Sequence, residues 1–293
     1  AERTGDLVMT YALAPDQVNQ YQRDGFLFPL DVFDNSRVED ILEQLKHTRT
    51  AAREQGLEAE LTQLLRSNTH YILPFVSELA RAPQLLDRVE SILGPNILLW
   101  SAEFFIKGAR TDKIVSWHQD LTYWGLGETN QEMTAWLALS DVNVESGCMR
   151  FVPGSHHQQI LPHRDTFDAA NLLSRGQEVA VDVAESDAVN VILDPGQVSF
   201  HHGRMFHASG PNRSAQDRIG MAFRFITPEV RQSVAKRDYA MLVRGIDEGR
   251  NWIHVAPPRR QFDPAELKLP ARIRQDQSAA LDEGAEQELY TAD

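Results

Sequence analysis

Met133-Thr134-Ala135-Trp136-Leu137-Ala138-Leu139 is followed, after a polar break, by Gly147-Cys148-Met149-Arg150-Phe151-Val152-Pro153-Gly154-Ser155-His156. Each stretch is a short apolar run closed by residues that turn the chain. The same pattern fills residues 96–225, with candidate strands at 97–106, 114–117, 133–139, 149–152, 189–192, 198–200 and 219–226. Many short strands separated by Gly, Pro, Asn and Asp predict an all-β sandwich or barrel.

The flanks read differently. Pro15-Asp16 starts a short helix that Gly25 ends, and Phe26-Leu27-Phe28 is a short strand. Asn35-Ser36 then caps a helix whose apolar positions, Val38, Ile41, Leu42 and Leu45, lie on one face. Further helical stretches run near 61–65 and through Leu79, Leu85, Leu86, Val89 and Leu93 to Gly94-Pro95. These helices are expected to pack on the outside of the β core. Residues 158–188 form a long connection with little strand character, and the loop between His157 and Asp187 is a candidate lid. The tail after Arg274 is rich in Gln, Ala and Glu, and its last stretch, residues 282–293, with five acids and no base, reads as mobile. The expected organisation is a single domain: a helical part (about 14–94), a β core (about 96–227) and a C-terminal extension (228–293).

Composition excludes several classes. The chain has 293 residues, 42% hydrophobic and 24% charged, ample for a sizeable core. Acids outnumber bases 42 to 29, for a net charge of −13, which argues against nucleic acid or an anionic membrane as partner. Cys148 is the single cysteine, so an internal disulfide framework and a Cys-rich metal site are excluded. Residues 1–10 do not read as a signal peptide, and the run at 92–106 is too short to span a bilayer. A cytoplasmic protein, monomer or homodimer, is the expectation. Ten histidines remain, seven of them between His118 and His207.

Trp117-His118-Gln119-Asp120 is the sharpest local feature. In a strand, residues two apart point to the same side, so His118 and Asp120 could reach one ion. With a distant second histidine they would form the two-His-one-carboxylate triad that holds Fe(II) and leaves positions open. His201, His202 and His207 all compete for that third place. Arg218 follows His207 by eleven residues, and on an adjacent strand it could aim a planar fork at a carboxylate bound near the metal.

The chain resembles the phytanoyl-CoA dioxygenase family of Fe(II)- and 2-oxoglutarate-dependent oxygenases. The resemblance spans Asp16-Gln17-Val18 and Tyr21-Gln22-Arg23-Asp24-Gly25-Phe26 to about Thr227. It is carried by His118-Gln119-Asp120, Ala135-Trp136-Leu137-Ala138-Leu139, the stretch from Gly147 to His156, and His207-Ala208-Ser209-Gly210-Pro211-Asn212. It implies a double-stranded β-helix, the cupin-like jelly roll, with His118, Asp120 and His207 as iron ligands. It further implies Arg218 on the distal carboxylate of 2-oxoglutarate, Trp136 lining that pocket, and O₂ as the oxidant. Because Asp120 is retained, hydroxylation is expected rather than halogenation, with succinate and CO₂ as co-products. Two other classes are compatible with the same barrel: a catalytically silent metal-binding protein, and a metal lyase or isomerase that uses no O₂.

Substrate contacts are read from proximity. Trp117, Tyr123 and Trp124 flank the metal motif, and Lys107, Arg110, Lys113, Arg150, Arg204 and Arg224 are the nearby cations. Trp124 and Arg204 are the preferred pair. The expected substrate is a small polar metabolite or biosynthetic intermediate. An acyl-CoA is disfavoured, since it would need a basic patch.

Overall fold

The structure is a computed structural model that describes residues 11–173, 178–179 and 182–281. The N-terminal helices are α1 (Pro15–Asp24), α2 (Asn35–Glu54), α3 (Glu58–Leu64), α4 (Pro74–Ala80) and α5 (Pro83–Leu93). Strand β1 (Phe26–Asp31) interrupts them after α1. Gly25 closes α1 in the left-handed region at φ 83°, as its place in the sequence predicts. Asp34 caps α2, its carboxylate accepting from the Arg37 backbone N–H, one residue earlier than the Asn35-Ser36 reading. The single helical stretch read through Leu79 to Leu93 is two helices, because Pro83 opens a new one.

The remaining strands are β2 (Ile97–Lys107), β3 (Val115–His118), β4 (Glu132–Ala138), β5 (Met149–Phe151), β6 (His163–Arg164), β7 (Glu178–Val179), β8 (Val189–Asn190), β9 (Gln197–His202), β10 (His207–Ser209), β11 (Arg218–Ile226), β12 (Tyr239–Arg244) and β13 (Ile253–His254). They form a large sheet ordered β1-β9-β4-β11-β2-β12-β13 and a smaller one ordered β3-β10-β5-β8, with β6 and β7 paired apart. This is a jelly roll with helices against one face.

Alternation along the strands divides the interior. Met133, Ala135 and Leu137 of β4, with Met221, Phe223 and Phe225 of β11, face the helices and merge with Ile41, Leu45, Tyr71, Leu79 and Leu85 in the largest core. Trp136, Ala138 and Ala222 point the other way and pack on Phe26, Met149 and Phe151 between the two sheets. Gly220 lies opposite Ala138 and is required by close approach: a Cβ there would come 2.1 Å from the Trp136 ring.

The C-terminal limit of the β core is corrected. Strand β12 joins the large sheet antiparallel to β2, so the core gains a strand beyond residue 227. Helix α6 (Leu269–Leu281) runs past Arg274 through the Gln- and Ala-rich stretch, where no element is expected. Buried Gln277 anchors it, donating to the Asp238 carboxylate at 2.7 Å. Residues 1–10 and 282–293, and part of the 158–188 connection (174–177, 180 and 181), lie outside the described residues. No helix among the described residues is long and apolar enough to cross a membrane.

Candidate metal centre

Strands β3 and β10 are antiparallel neighbours, and His118 stands directly opposite His207. Asp120 follows in the 3₁₀ turn that ends β3. Ligand atoms of the three residues all lie within 4.8 Å of one another, and all three residues are buried. His118 Nε2 is 3.1 Å from Asp120 Oδ1, and His207 Nε2 is 3.7 Å from the same oxygen.

Both imidazoles are oriented by the backbone. His118 Nδ1 is 2.8 Å from the Ser116 carbonyl, and His207 Nδ1 is 3.0 Å from the Met205 carbonyl. With Nδ1–H donating to a carbonyl, Nε2 keeps its lone pair for a cation, the usual arrangement behind a ligating histidine. Burial pushes His207 well below the ordinary imidazole value, so it is in the neutral, ligating form. Burial alone would push Asp120 up, yet the surrounding His207, His118 and His201 hold its carboxyl well below the usual range. A carboxylate beside two imidazole nitrogens is a donor set for a divalent transition metal.

Of the competing histidines, His201 lies nearest, its Nε2 3.6 Å from Asp120 Oδ2. His202 turns away toward the Asn130 side-chain oxygen at 3.1 Å. Gln119, unremarked in the sequence reading except as part of the motif, clamps the turn. Its side-chain N–H₂ donates to the Gln159 and Arg204 carbonyls, and its side-chain oxygen accepts from the Leu161 N–H at 2.8 Å. It is fully buried, so its amide links the ligand-bearing turn to the start of the long connection.

Arg218 opens β11 at 2% exposure, its guanidinium 5.4 Å from the Trp136 ring centre. One Nη donates to the Gly147 carbonyl, Nε has no partner, and no carboxylate among the described residues pairs with it. Burial lowers it to about 10. Its cross-strand partner is Lys107, at 1% exposure. Lys107 Nζ donates to Ser209 Oγ at 2.8 Å and to the Gly210 carbonyl. Burial, with Arg218 adding to it, lowers this lysine to about 7. Two buried cations side by side without an acid form a costly arrangement that an anion would relieve. In the sequence Lys107 reads only as a possible substrate contact. The signal for the second role was its β-register with Arg218, which sequence does not display.

A cavity of about 740 Å³ opens beside His118 and Asp120. Tyr123 and Trp124 line it, as does Trp100, whose ring lies 5.1 Å from that of Trp124. Arg224, ion-paired with Glu103, stands 4.8 Å from the Trp124 ring on the same wall. Trp117 and Arg204 are not brought to this cavity. Trp117 precedes a ligand by one residue, so pleating turns it to the opposite face, where it lies 5.5 Å from Arg150 in a separate groove. Arg204 sits in the turn after β9 and bonds Asn130 at 2.6 Å.

A jelly roll that gathers two imidazoles and a carboxylate at the ends of adjacent strands is the scaffold of a non-haem metal protein. The chain belongs to the Phytanoyl-CoA dioxygenase (PhyH) family, whose profile matches residues 21–220. It is 28% identical over 215 residues to the probable alpha-ketoglutarate-dependent hypophosphite dioxygenase of Stutzerimonas stutzeri, covering 68% of this chain and 73% of that protein. It is 31% identical over 158 residues to the ectoine dioxygenase of Bordetella parapertussis, about half (51%) of each chain. Among solved structures it is similar to the non-heme monooxygenase ThoJ in its apo form, with TM-score 0.81 and 33% identity over 92% of this chain and 98% of that one.

Proposed function

We propose that the protein is an Fe(II)- and 2-oxoglutarate-dependent dioxygenase that hydroxylates an unactivated C–H bond of a small molecule. The cofactors are Fe(II) and 2-oxoglutarate, with O₂ as cosubstrate. His118, Asp120 and His207 would hold the iron. The observation that carries the reading is the pairing of this donor set with the acid-free cation pair Arg218 and Lys107, which fits a ligand that reaches a metal at one end and carries a carboxylate at the other. Iron bound there would supply O₂ activation coupled to oxidative decarboxylation of 2-oxoglutarate, releasing succinate and CO₂ as one oxygen atom enters the substrate.

The chain's own residues prepare that chemistry. The Ser116 and Met205 carbonyls fix the imidazole tautomers. Arg218 offers two N–H groups to the distal carboxylate, Lys107 a third donor, and Ser209 Oγ stays beside Lys107 to bridge them. Trp136, admitted by Gly220, forms an apolar floor that excludes water from the ion pair. Tyr123 and Trp124 wall the substrate side, and Leu172 and Leu173 of the long connection close over the same cavity. The test is succinate formation from 2-oxoglutarate by the iron-loaded protein under O₂. Formation that disappears in Asp120→Ala supports the reading, and no succinate from the wild type with any offered substrate, together with no 2-oxoglutarate binding, overturns it.

A further inference from the structure

The cavity beside Asp120 has two chemically distinct ends. Its deep part is aromatic and aliphatic, with Trp100, Phe104, Tyr123, Trp124 and Leu173 on the wall. Its solvent end carries arginines from three separate elements: Arg49 and Arg53 on α2, Arg66 just after α3, and Arg274 on α6.

Local charge pairing decides what these arginines are for. Five arginines and three acids line the cavity. Arg53 is paired with Glu58 at 3.0 Å, Arg224 is paired with Glu103, and Asp120 belongs to the metal triad. That leaves Arg49, Arg66 and Arg274, none of whose side chains has an ion pair or hydrogen bond among the described residues. Arg274 is half buried, and burial lowers its affinity for the proton. In a chain with a net charge of −13, acids are abundant enough to neutralise a scattered surface arginine. Three uncompensated guanidinium groups converging on one opening are instead a local positive field above an apolar chamber. Guanidinium forks match carboxylate and phosphate geometry, and the apolar wall adds burial energy for a hydrocarbon or aromatic body.

We propose that the substrate is an amphiphilic anion. Its apolar body lies along Trp100 and Trp124, and a carboxylate or phosphate at its far end is held by Arg49, Arg66 and Arg274. The proposal rests on the oxygenase reading for the meaning of the word substrate, but its test does not. It also revises the sequence expectation of a polar metabolite, which came from total charge and could not see where the few bases gather.

The experiment is equilibrium binding followed by the fluorescence of the cavity tryptophans, in the full chain at low salt without turnover. The probes are 4-phenylbutyl phosphate, 4-phenylbutyrate, 4-phenylbutanol and 4-phenylbutylamine. The wild type is expected to bind at least one of the two anions about tenfold or more tightly than the alcohol, with the amine weakest. Whichever anion binds tighter identifies the head group. In Arg49→Gln/Arg66→Gln/Arg274→Gln that preference should vanish while the alcohol is unchanged, because Arg49 and Arg66 are exposed, Arg274 is only half buried, and glutamine keeps a polar side chain at each position. Raising the salt should erase most of the preference in the wild type as well. Equal binding of anions and alcohol by the wild type, or a preference that survives in the triple variant, overturns the proposal. Titration of 2-oxoglutarate in the same samples reports separately on the functional reading, since Arg218 and Lys107 are untouched.

Discussion

Replacing Lys107 by Met should weaken 2-oxoglutarate and flatten the pH dependence of its binding. The substitution keeps the length of the side chain and removes the ammonium that lies across the strands from Arg218. Truncating one member of a buried charge pair costs about 2–5 kcal/mol. Arg218 and Ser209 remain, so the lower half of that range applies, or roughly thirtyfold to several hundredfold in Kd. The pH dependence gives a sharper check. Without ligand, Lys107 is lowered from 10.5 to about 7, chiefly by burial. A bound carboxylate favours the charged form and raises it again. Binding above pH 7 therefore takes up a proton, and affinity should fall by up to about tenfold per pH unit. The sign for folding is opposite. Between about 7 and 10.5 the unfolded chain holds more protons at this position, so the ligand-free protein gains stability as pH rises through that window. Lys107→Met should lose both slopes and melt at a higher temperature near neutrality. Anaerobic calorimetry with Mn(II) in place of iron measures Kd, and buffers of different ionisation enthalpy count the proton. Binding of 2-oxopentanoate, which lacks the distal carboxylate, should be unchanged. An unaltered Kd for 2-oxoglutarate, or the same proton uptake in Lys107→Met, refutes the assignment.

Asp120→Ala should lower metal affinity and abolish succinate formation, a loss of at least about a thousandfold if the centre is the site of chemistry, read by metal titration and mass spectrometry. Gly220→Ala drives a Cβ into the Trp136 ring, which lies 2.1 Å from its ideal position, and should cost about 1–3 kcal/mol in chemical denaturation while also weakening 2-oxoglutarate. Gln119→Ala strands the Leu161 N–H and the Gln159 and Arg204 carbonyls that it now satisfies. It should cost about 1–3 kcal/mol in stability and raise the metal Kd, whereas a wild-type metal Kd would show that the clamp does not position the ligands.

The sequence carried an all-β sandwich or barrel because its strands are short, apolar and closed by turns, a pattern that helices do not produce, and the jelly roll within that class came from the family resemblance. His118 and Asp120 were legible for a local reason: they are two residues apart, and geometry between such neighbours is nearly fixed. His207 was not legible from residue type alone, since His201 and His202 offer the same imidazole a few residues earlier. What separates them is that His207 opens β10 opposite His118 while His201 lies on β9 in the other sheet. Lys107 shows the same limit. Its role depends on a register between strands more than a hundred residues apart. Trp117 and Arg204 fail as cavity residues because nearness in sequence was taken for nearness in space. One pleat reversal is enough to send Trp117 to the opposite face. Strand β12 and helix α6 were missed because their stabilisation is tertiary, through pairing with β2 and the Gln277–Asp238 bond.

The paired strands β2 and β11 carry a charge pattern that separates two ligands. On the face that looks between the sheets, Arg218 pairs in register with Lys107, and Ala222 with Glu103. Arg224 lies six residues beyond Arg218 on that face, roughly 20 Å along the strand. At that distance two unit charges interact by about 0.8 kcal/mol at an effective dielectric constant of 20. Glu103 neutralises Arg224, so even this small term is largely cancelled. One end of the strand pair therefore keeps its charge for an incoming anion, and the other has already satisfied it. An anion at the first end is thus bound almost independently of what occupies the cavity beside Arg224. Any cooperativity between 2-oxoglutarate and substrate must then arise through the shared metal or through the connection that carries Leu172 and Leu173, not through the field of these strands.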